Sequence, residues 1–407
     1  MEAILYLAHR IPYPPNKGDK IRSFHILRHL AARYRVFLAC FVDDPADVAA
    51  IPELDRYCAG RCVLKRHGRL AHLHSLAGLA RGEALSLARW RSGEMRSWVE
   101  RTVAEQGITR AVVFSGAMAQ YALGLPGLRL VTDFCDVDSA KFTQYAPDHA
   151  WPVSWVYRRE GRRLLEWEAR VARHSAASVF ATRAEADLFE RLAPGQAASL
   201  AVLENGVDTA YFRPAERPNP YAAGEIAIVF TGAMDYWPNV DAVSWFAREI
   251  LPRLAERHGR VRFVVVGMNP APAVLALAAD PRVTVTGKVA DVRPYVQHAR
   301  VVVAPLRVAR GIQNKVLEAM AMARPVVVSA TCAAGLNGET GLEFATASSA
   351  AEFVERVSAL IEPHAGEAMG LRARARILAD RDWDRNLAQL DALLGAPVPA
   401  QEPIHAF

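Results

Sequence analysis

The residues best suited to chemistry collect at one junction of the 407-residue chain. Ala304-Pro305-Leu306-Arg307-Val308-Ala309-Arg310-Gly311-Ile312-Gln313-Asn314-Lys315-Val316-Leu317-Glu318 reads as a buried strand ending at Pro305, a basic glycine-containing loop, and a helix beginning near Gln313. The first turn of a helix presents backbone N–H groups that lack an intrahelical partner and carry partial positive charge. Arg307, Arg310 and Lys315 add full cations, and the constellation suits a diphosphate. Glu318 lies about one turn further in. A carboxylate there is a poor neighbour for phosphate and a good acceptor for the two hydroxyls of a ribose. The competing reading makes Lys315 and Glu318 a solvated helix face.

Four other junctions have residues of interest. In Thr231-Gly232-Ala233-Met234-Asp235-Tyr236-Trp237-Pro238-Asn239 a strand ends at a glycine that lets backbone approach a ligand. Asn239 there reads as a helix cap or a ligand contact. Gly267-Met268-Asn269-Pro270 and Gly287-Lys288-Val289 each follow a strand, and simple turns are the alternative. Pro14-Pro15-Asn16-Lys17-Gly18-Asp19-Lys20-Ile21-Arg22 is a glycine-containing loop entering an amphipathic helix, without the spacing of a P-loop. Asp136-Val137-Asp138 spells D-x-D, which can hold a divalent cation against phosphates, but acceptor binding or a turn fits its place better. Cys58, Cys62, His67, His72 and His74 do not match zinc spacing. No metal site is expected.

These junctions must be positioned by strands and helices. Near-continuous apolar runs occur at Ile4–Ala8, Val36–Val42, Arg110–Ser115, Leu128–Asp133, Ser178–Thr182 and Ala201–Leu203. More follow at Ile226–Thr231, Val261–Gly267, Val283–Gly287, Val301–Leu306 and Pro325–Ser329. Strands buried on both faces read this way, and they alternate with amphipathic stretches of helical length. The expected class is α/β, with two Rossmann-like doubly wound domains facing across a cleft. Asn205-Gly206 followed by Pro214, Pro218, Pro220 and Gly224 marks the break. The expected organisation is a first domain over 1–207, a linker over 208–224, a second domain over 225–384, and a terminal helix and tail over 385–407.

Composition narrows the classes. Hydrophobic residues make up 52% and charged residues 23%, a globular balance that excludes a mainly disordered chain. The 49 Lys and Arg against 43 Asp and Glu leave a net charge of +6, too mild and too dispersed to demand nucleic acid. Five cysteines without a CxxC fit a reducing compartment. The start reads as a strand rather than a secretion signal, and no apolar run is long enough to span a bilayer. The expected location is the cytoplasm. Residues 151–173 place Trp151, Trp155 and Trp167 among six Arg and three Glu, a composition suited to an anionic membrane surface or to packing on the helix's own domain.

The segment GIQNKVLEAMAMARPVVV at Gly311–Val328 resembles the donor-site signature of glycosyltransferase family 4, retaining enzymes of the GT-B fold. More narrowly, the chain resembles sugar transferases that accompany exopolysaccharide systems of PEP-CTERM bacteria. HRIPYPPNKGDKIRS at His9–Ser23, DFCDVDSAKF at Asp133–Phe142, ENGVDTAYFRP at Glu204–Pro214 and FTGAMDYWPNVDAVSWF at Phe230–Phe246 also match. The resemblance covers nearly the whole chain apart from residues 60–105 and the tail.

The resemblance implies that Lys315 binds the donor diphosphate and Glu318 the donor ribose. Gly18, Gly232, Asp235, Asn239, Gly267, Arg307, Gly311, Gln313 and Asn314 join the donor candidates, and Lys288 and Val289 face the base. Lys17, Arg22, Asp133, Asp136 and Lys141 are acceptor-side candidates. Lys315, Arg310 and Asp136 are the catalytic candidates. Arg310 stands where the family usually has a Glu near the transferred sugar, so the sugar stays open. The implied substrates are a UDP- or GDP-linked sugar and a glycan or lipid-linked acceptor, with no cofactor and no metal. An epimerase or phosphorylase of the same fold, and a non-catalytic nucleotide-sugar binder, are the alternatives.

Overall fold

The structure is a computed structural model that describes residues 1–66, 79, 81–195, 200–309, 311–336 and 338–395. His67, His72 and His74 lie outside the described residues, as does Arg310. The chain divides into two compact units, Met1–Glu204 with Asp384–Phe407, and Asn205–Trp383.

The first unit holds a seven-stranded sheet of β1 (Ala3–Ala8), β2 (Arg35–Val42), β3 (Gly60–Lys65), β4 (Arg110–Phe114), β5 (Arg129–Cys135), β6 (Ala177–Phe180) and β7 (Leu200–Val202). Its order is β3-β2-β1-β4-β5-β6-β7, with every pair parallel. The central strands are closed to solvent on both faces, as their runs of Val, Leu and Phe require. Helices seal the sheet with local signals of their own. Thr182 caps the helix Arg183–Leu192 by accepting from Glu185 N at 3.1 Å, and Gly107, at φ 60°, closes the helix Gly93–Gln106.

The second unit repeats the plan with six strands, β8 (Ile226–Thr231), β9 (Val261–Val266), β10 (Val283–Val285), β11 (Val301–Ala304), β12 (Val326–Ser329) and β13 (Ala345–Ala347). The order is β10-β9-β8-β11-β12-β13, again all parallel. The strand order reverses its progression between β8 and β11, and ligands of such sheets bind beyond the carboxyl ends of the strands at that switch point.

All eleven apolar runs form strands, within a few residues of their expected ends. Two strands escape the sequence reading. β3 is an edge strand whose one buried residue is Cys62 and which opens with Gly60-Arg61, and β13 is three small residues, Ala-Thr-Ala. β3 offers only Cys62-Val63-Leu64 between Arg61 and Lys65, and β13 only two alanines about a threonine, too little apolar sequence to stand out. The residues 208–224 form no regular element and belong to the second unit, while the last helix, Trp383–Leu393, lies mostly in the first. In that first unit Asp391 accepts from His29 Nε2 at 3.0 Å and Arg33 Nε at 3.1 Å, and Arg129 Nε donates to Leu393 O at 3.0 Å.

Candidate functional site

The site is built where β8 and β11 part. The helix Asn314–Ala321 follows β11, with Gln313 in the capping position and its first-turn N–H groups uncapped by any side chain. Lys315 is its second residue and Glu318 stands one turn on, on the same face. The Lys315 ammonium donates to Asn239 Oδ1 at 2.6 Å and lies 4.2 Å from the centroid of the Phe230 ring. Asn239 is the third residue of the helix Trp237–Trp245, which follows β8, and its amide donates to Ala233 O at 2.8 Å. The sequence reading of Asn239 as a cap is therefore corrected. Tyr236 holds the capping position, and Asn239 is the side chain that aims Lys315.

Glycines make the space. Gly232 sits at φ 154°, and a Cβ there would meet Asn239 Nδ2 at 2.9 Å and Lys315 Nζ at 3.2 Å. A Cβ on Gly267 would lie 1.6 Å from Gly232 O, so the loops after β8 and β9 touch backbone to backbone. Met234 N donates to Met268 O at 2.8 Å and locks the same contact. Gly311 adopts φ 60° in the loop before the helix, and Ser329 Oγ and Thr331 Oγ1 both donate to Leu306 O and fix that loop's start.

Lys315 and Glu318 are each only partly exposed. Burial pulls the Lys315 pKa down to about 8, against the opposing pull of Cys332 and Glu318. Burial pushes Glu318 up to about 7, with Lys315 opposing. The helix start thus bears an ammonium and a carboxyl that both change charge near neutrality. For folding, the Glu318 shift costs stability as pH rises from 4.5 toward 7. The Lys315 cost is present below about 8 and disappears as pH climbs to 10.5.

The remaining candidates divide. Asn314 accepts from Asn205 Nδ2 at 3.1 Å, which ties the helix start to the Glu204-Asn205-Gly206 turn. Asp235 is exposed and accepts from Asn269 Nδ2 at 3.2 Å. Lys288 is exposed, and Val289 is half-buried against the second unit's core. Arg307 forms a two-point ion pair with Asp241, Nε to Oδ2 at 2.9 Å with a second contact from Nη2 to Oδ1. Its charge is matched by a carboxylate that no sequence spacing announced.

In the first unit four of the five acceptor-side candidates are engaged with one another. Arg22 Nε and Nη2 donate to Asp133 at 2.7 and 3.1 Å, and Arg22 Nη1 donates to Leu203 O at 2.7 Å. Arg22 is 0% and Asp133 3% exposed. This corrects the reading of these two as acceptor contacts, because neither presents a group to solvent. Lys141 Nζ lies 2.9 Å from Asp136 and 3.0 Å from Asp138, so the D-x-D carboxylates hold a lysine. Burial would lower the Lys141 pKa, but the two aspartates outweigh it and hold it well above its ordinary value. Lys17 pairs with Asp44 at 3.3 Å, and Gly18 opens the helix Gly18–Ala31. Among the described residues no group of three His, Cys, Asp or Glu is placed to hold a metal ion. Sequence reasoning missed Phe230 and Asn205 as supports of the site. Phe230 looks like any strand residue, and Asn205 like any turn asparagine.

Comparison with known proteins gives this geometry its context. Residues 225–363 match the family model Glyco_trans_1_4, Glycosyl transferases group 1. A comparison with curated proteins found no match. The chain is similar to HepE of Anabaena, solved in complex with UDP and glucose, at 16% identity over 98% of this chain and 100% of that one, with a TM-score of 0.69. It is similar to sucrose-phosphate synthase of Thermosynechococcus elongatus at 16% identity over 97% and 98% of the two chains, with a TM-score of 0.72. It is also similar to WaaG, a glycosyltransferase involved in lipopolysaccharide biosynthesis, at 15% identity over 97% and 100%, with a TM-score of 0.65. The structural likenesses establish the GT-B fold. Lys315, Glu318 and their glycine-lined loops lie inside the segment that matches the group 1 glycosyl transferase model, and by enzyme class the chain is a glycosyltransferase.

Proposed function

We propose that the chain transfers a sugar from a UDP- or GDP-linked donor to a glycan or lipid-linked acceptor in exopolysaccharide biosynthesis, with the anomeric configuration retained, at the inner face of the cell membrane. One observation carries the donor half of this reading. Lys315 and Glu318 project from one face of a helix start at the point where β8 and β11 diverge. The ammonium and the positive end of the helix suit a leaving diphosphate, and the carboxylate suits a pentose diol. HepE, solved with UDP-glucose and with UDP and glucose, supports a uridine donor by analogy. Protein cations rather than a bound metal would neutralise the leaving group. No side chain is assigned as general base, which a front-face retaining route does not require. The resemblance to exopolysaccharide-associated transferases supports the acceptor class.

The test is a binding panel of UDP, GDP and uridine, followed by transfer and hydrolysis assays with the cognate sugar donors. The diphosphates stabilise the protein strongly and uridine weakly if the reading holds. A protein indifferent to every nucleotide, or one that binds uridine as tightly as UDP, contradicts it. Affinity for the sugar nucleotide should be greatest between about pH 7 and 8, where Glu318 is ionised and Lys315 still charged. Above about 8 the free ammonium discharges, and affinity falls by up to about tenfold per pH unit. Below about 7 the carboxyl takes up a proton and the ribose contact weakens. Isothermal titration across pH 6–9.5 reads both limbs, and a flat profile would remove the pair from the site.

A further inference from the structure

The helix Val153–His174 separates its charges in a way that its composition does not reveal. Two of its three glutamates face inward. Glu160 accepts from Leu85 N, Ser86 N and Ser86 Oγ at 2.6, 2.9 and 2.8 Å. Glu168 accepts from Ser139 N and Oγ at 3.1 and 2.5 Å, and burial pushes its pKa up to about 8. Gly161 lets the helix lie against Thr143 and Ser139, since a Cβ would meet them at 2.4 and 2.9 Å. The arginines go the other way. Arg158, Arg162, Arg170 and Arg173 are exposed, and the one exposed carboxylate of the helix, Glu166, already pairs with Arg163.

The tryptophans divide too. Trp167 is half-buried and donates to Gly116 O at 2.9 Å, so only two of the three indoles are exposed. Trp151 is 79% exposed and Trp155 50%, with Val153 between them at 44%. Single exposed apolar residues need no explanation, but three within five residues at one helix end do. Trp155, Arg158 and Arg162 are spaced to share one face, with Arg158 about 4.5 Å and Arg162 about 10 Å further along the axis. The order from the tip upward is therefore indole and valine, then guanidinium. A bilayer surface has the same layering, with the acyl boundary below and phosphate above.

We propose that this face docks on an anionic lipid bilayer, the Trp151–Trp155 tip entering the interface and Arg158 and Arg162 binding lipid phosphates. The surface lies wholly in the first unit and does not depend on the donor reading. The full chain should co-sediment with vesicles of phosphatidylcholine and phosphatidylglycerol at least about fivefold more than with phosphatidylcholine alone, and high salt should abolish the difference. Trp151→Ser with Trp155→Ser, and separately Arg158→Glu with Arg162→Glu, should each lose about fivefold or more of that binding. Circular dichroism and the thermal shift with UDP should stay unchanged. Binding indifferent to lipid charge, or variants that bind as the parent does, would overturn the proposal. So would a parent that self-associates in sedimentation velocity while the tryptophan variant does not, since the face would then be a protein interface. A protein that binds vesicles but no nucleotide leaves this surface standing and defeats the donor reading alone.

Discussion

Replacing Lys315 by alanine should weaken UDP binding by about 10- to 100-fold and leave uridine binding nearly unchanged. The magnitude is that of a hydrogen bond to a charged group, roughly 1.5–3 kcal/mol. The asymmetry follows from the geometry. The ammonium is held by Asn239 at 2.6 Å and stands over the Phe230 ring, so it is already placed before the ligand arrives. Little side-chain freedom remains to be lost, and the bond to the diphosphate is correspondingly efficient. Because the Gly232 and Gly267 loops pack backbone to backbone, the alanine variant should keep the loop packing and lose only the ammonium. Paired titrations of UDP and uridine measure the ratio. Equal loss for both ligands, or no loss for either, would show that Lys315 does not bind phosphate.

The second large effect belongs to stability. Asp133→Ala should cost about 3–5 kcal/mol, because it leaves the Arg22 guanidinium buried with its charge uncompensated. Burial by itself lowers the Arg22 pKa, and the charge and hydrogen bond of Asp133 together with Cys135 and Asp136 more than reverse this. A guanidinium stays cationic inside proteins, so without Asp133 it cannot escape by deprotonation. Asp133 also accepts from Cys135 N at 3.0 Å, at the irregularity where β5 pairs with β6 and Cys135 adopts φ 64°. One carboxylate thus anchors the helix Gly18–Ala31 to β5 and shapes the bulge, and Arg22 carries the tie on to Leu203 O. Denaturant unfolding of Asp133→Ala, compared with Arg22→Met combined with Asp133→Leu, measures the effect. The double variant removes both charges and should be markedly less destabilised than the single one. If the single variant unfolds like the parent, the pair does not hold the first unit together.

The fold was legible because parallel strands buried on both faces must be apolar throughout, as Phe263-Val264-Val265-Val266 shows. The two strands that escaped, β3 and β13, each lie at one edge of a sheet and have too few consecutive apolar residues to announce themselves. The proposed donor site was legible in part. Lys315 and Glu318 are three residues apart on one helix, so local spacing alone brings them to one face. Asn239 and Phe230 reach Lys315 only because β8 and β11 are neighbours in the sheet, and that adjacency spans 76 residues between Asn239 and Lys315. The acceptor candidates show the opposite outcome. Asp133, Asp136, Lys141 and Arg22 have the composition of a polar binding loop, and the tertiary structure spends them on one another.

By itself the sequence determined the two doubly wound sheets, the turn at Asn205-Gly206, and the helix start bearing Lys315 and Glu318. Each follows from interactions a few residues apart or from an apolar run that must be covered on both sides. Only the tertiary structure decided which charges remain available. Arg307 is matched by Asp241 and Arg22 by Asp133, across 66 and 111 residues of chain, and the two glutamates of the helix Val153–His174 turn inward while its arginines turn out. A charge seeks the nearest partner in space once water is excluded, and proximity in space is what the order of residues along a chain leaves unstated.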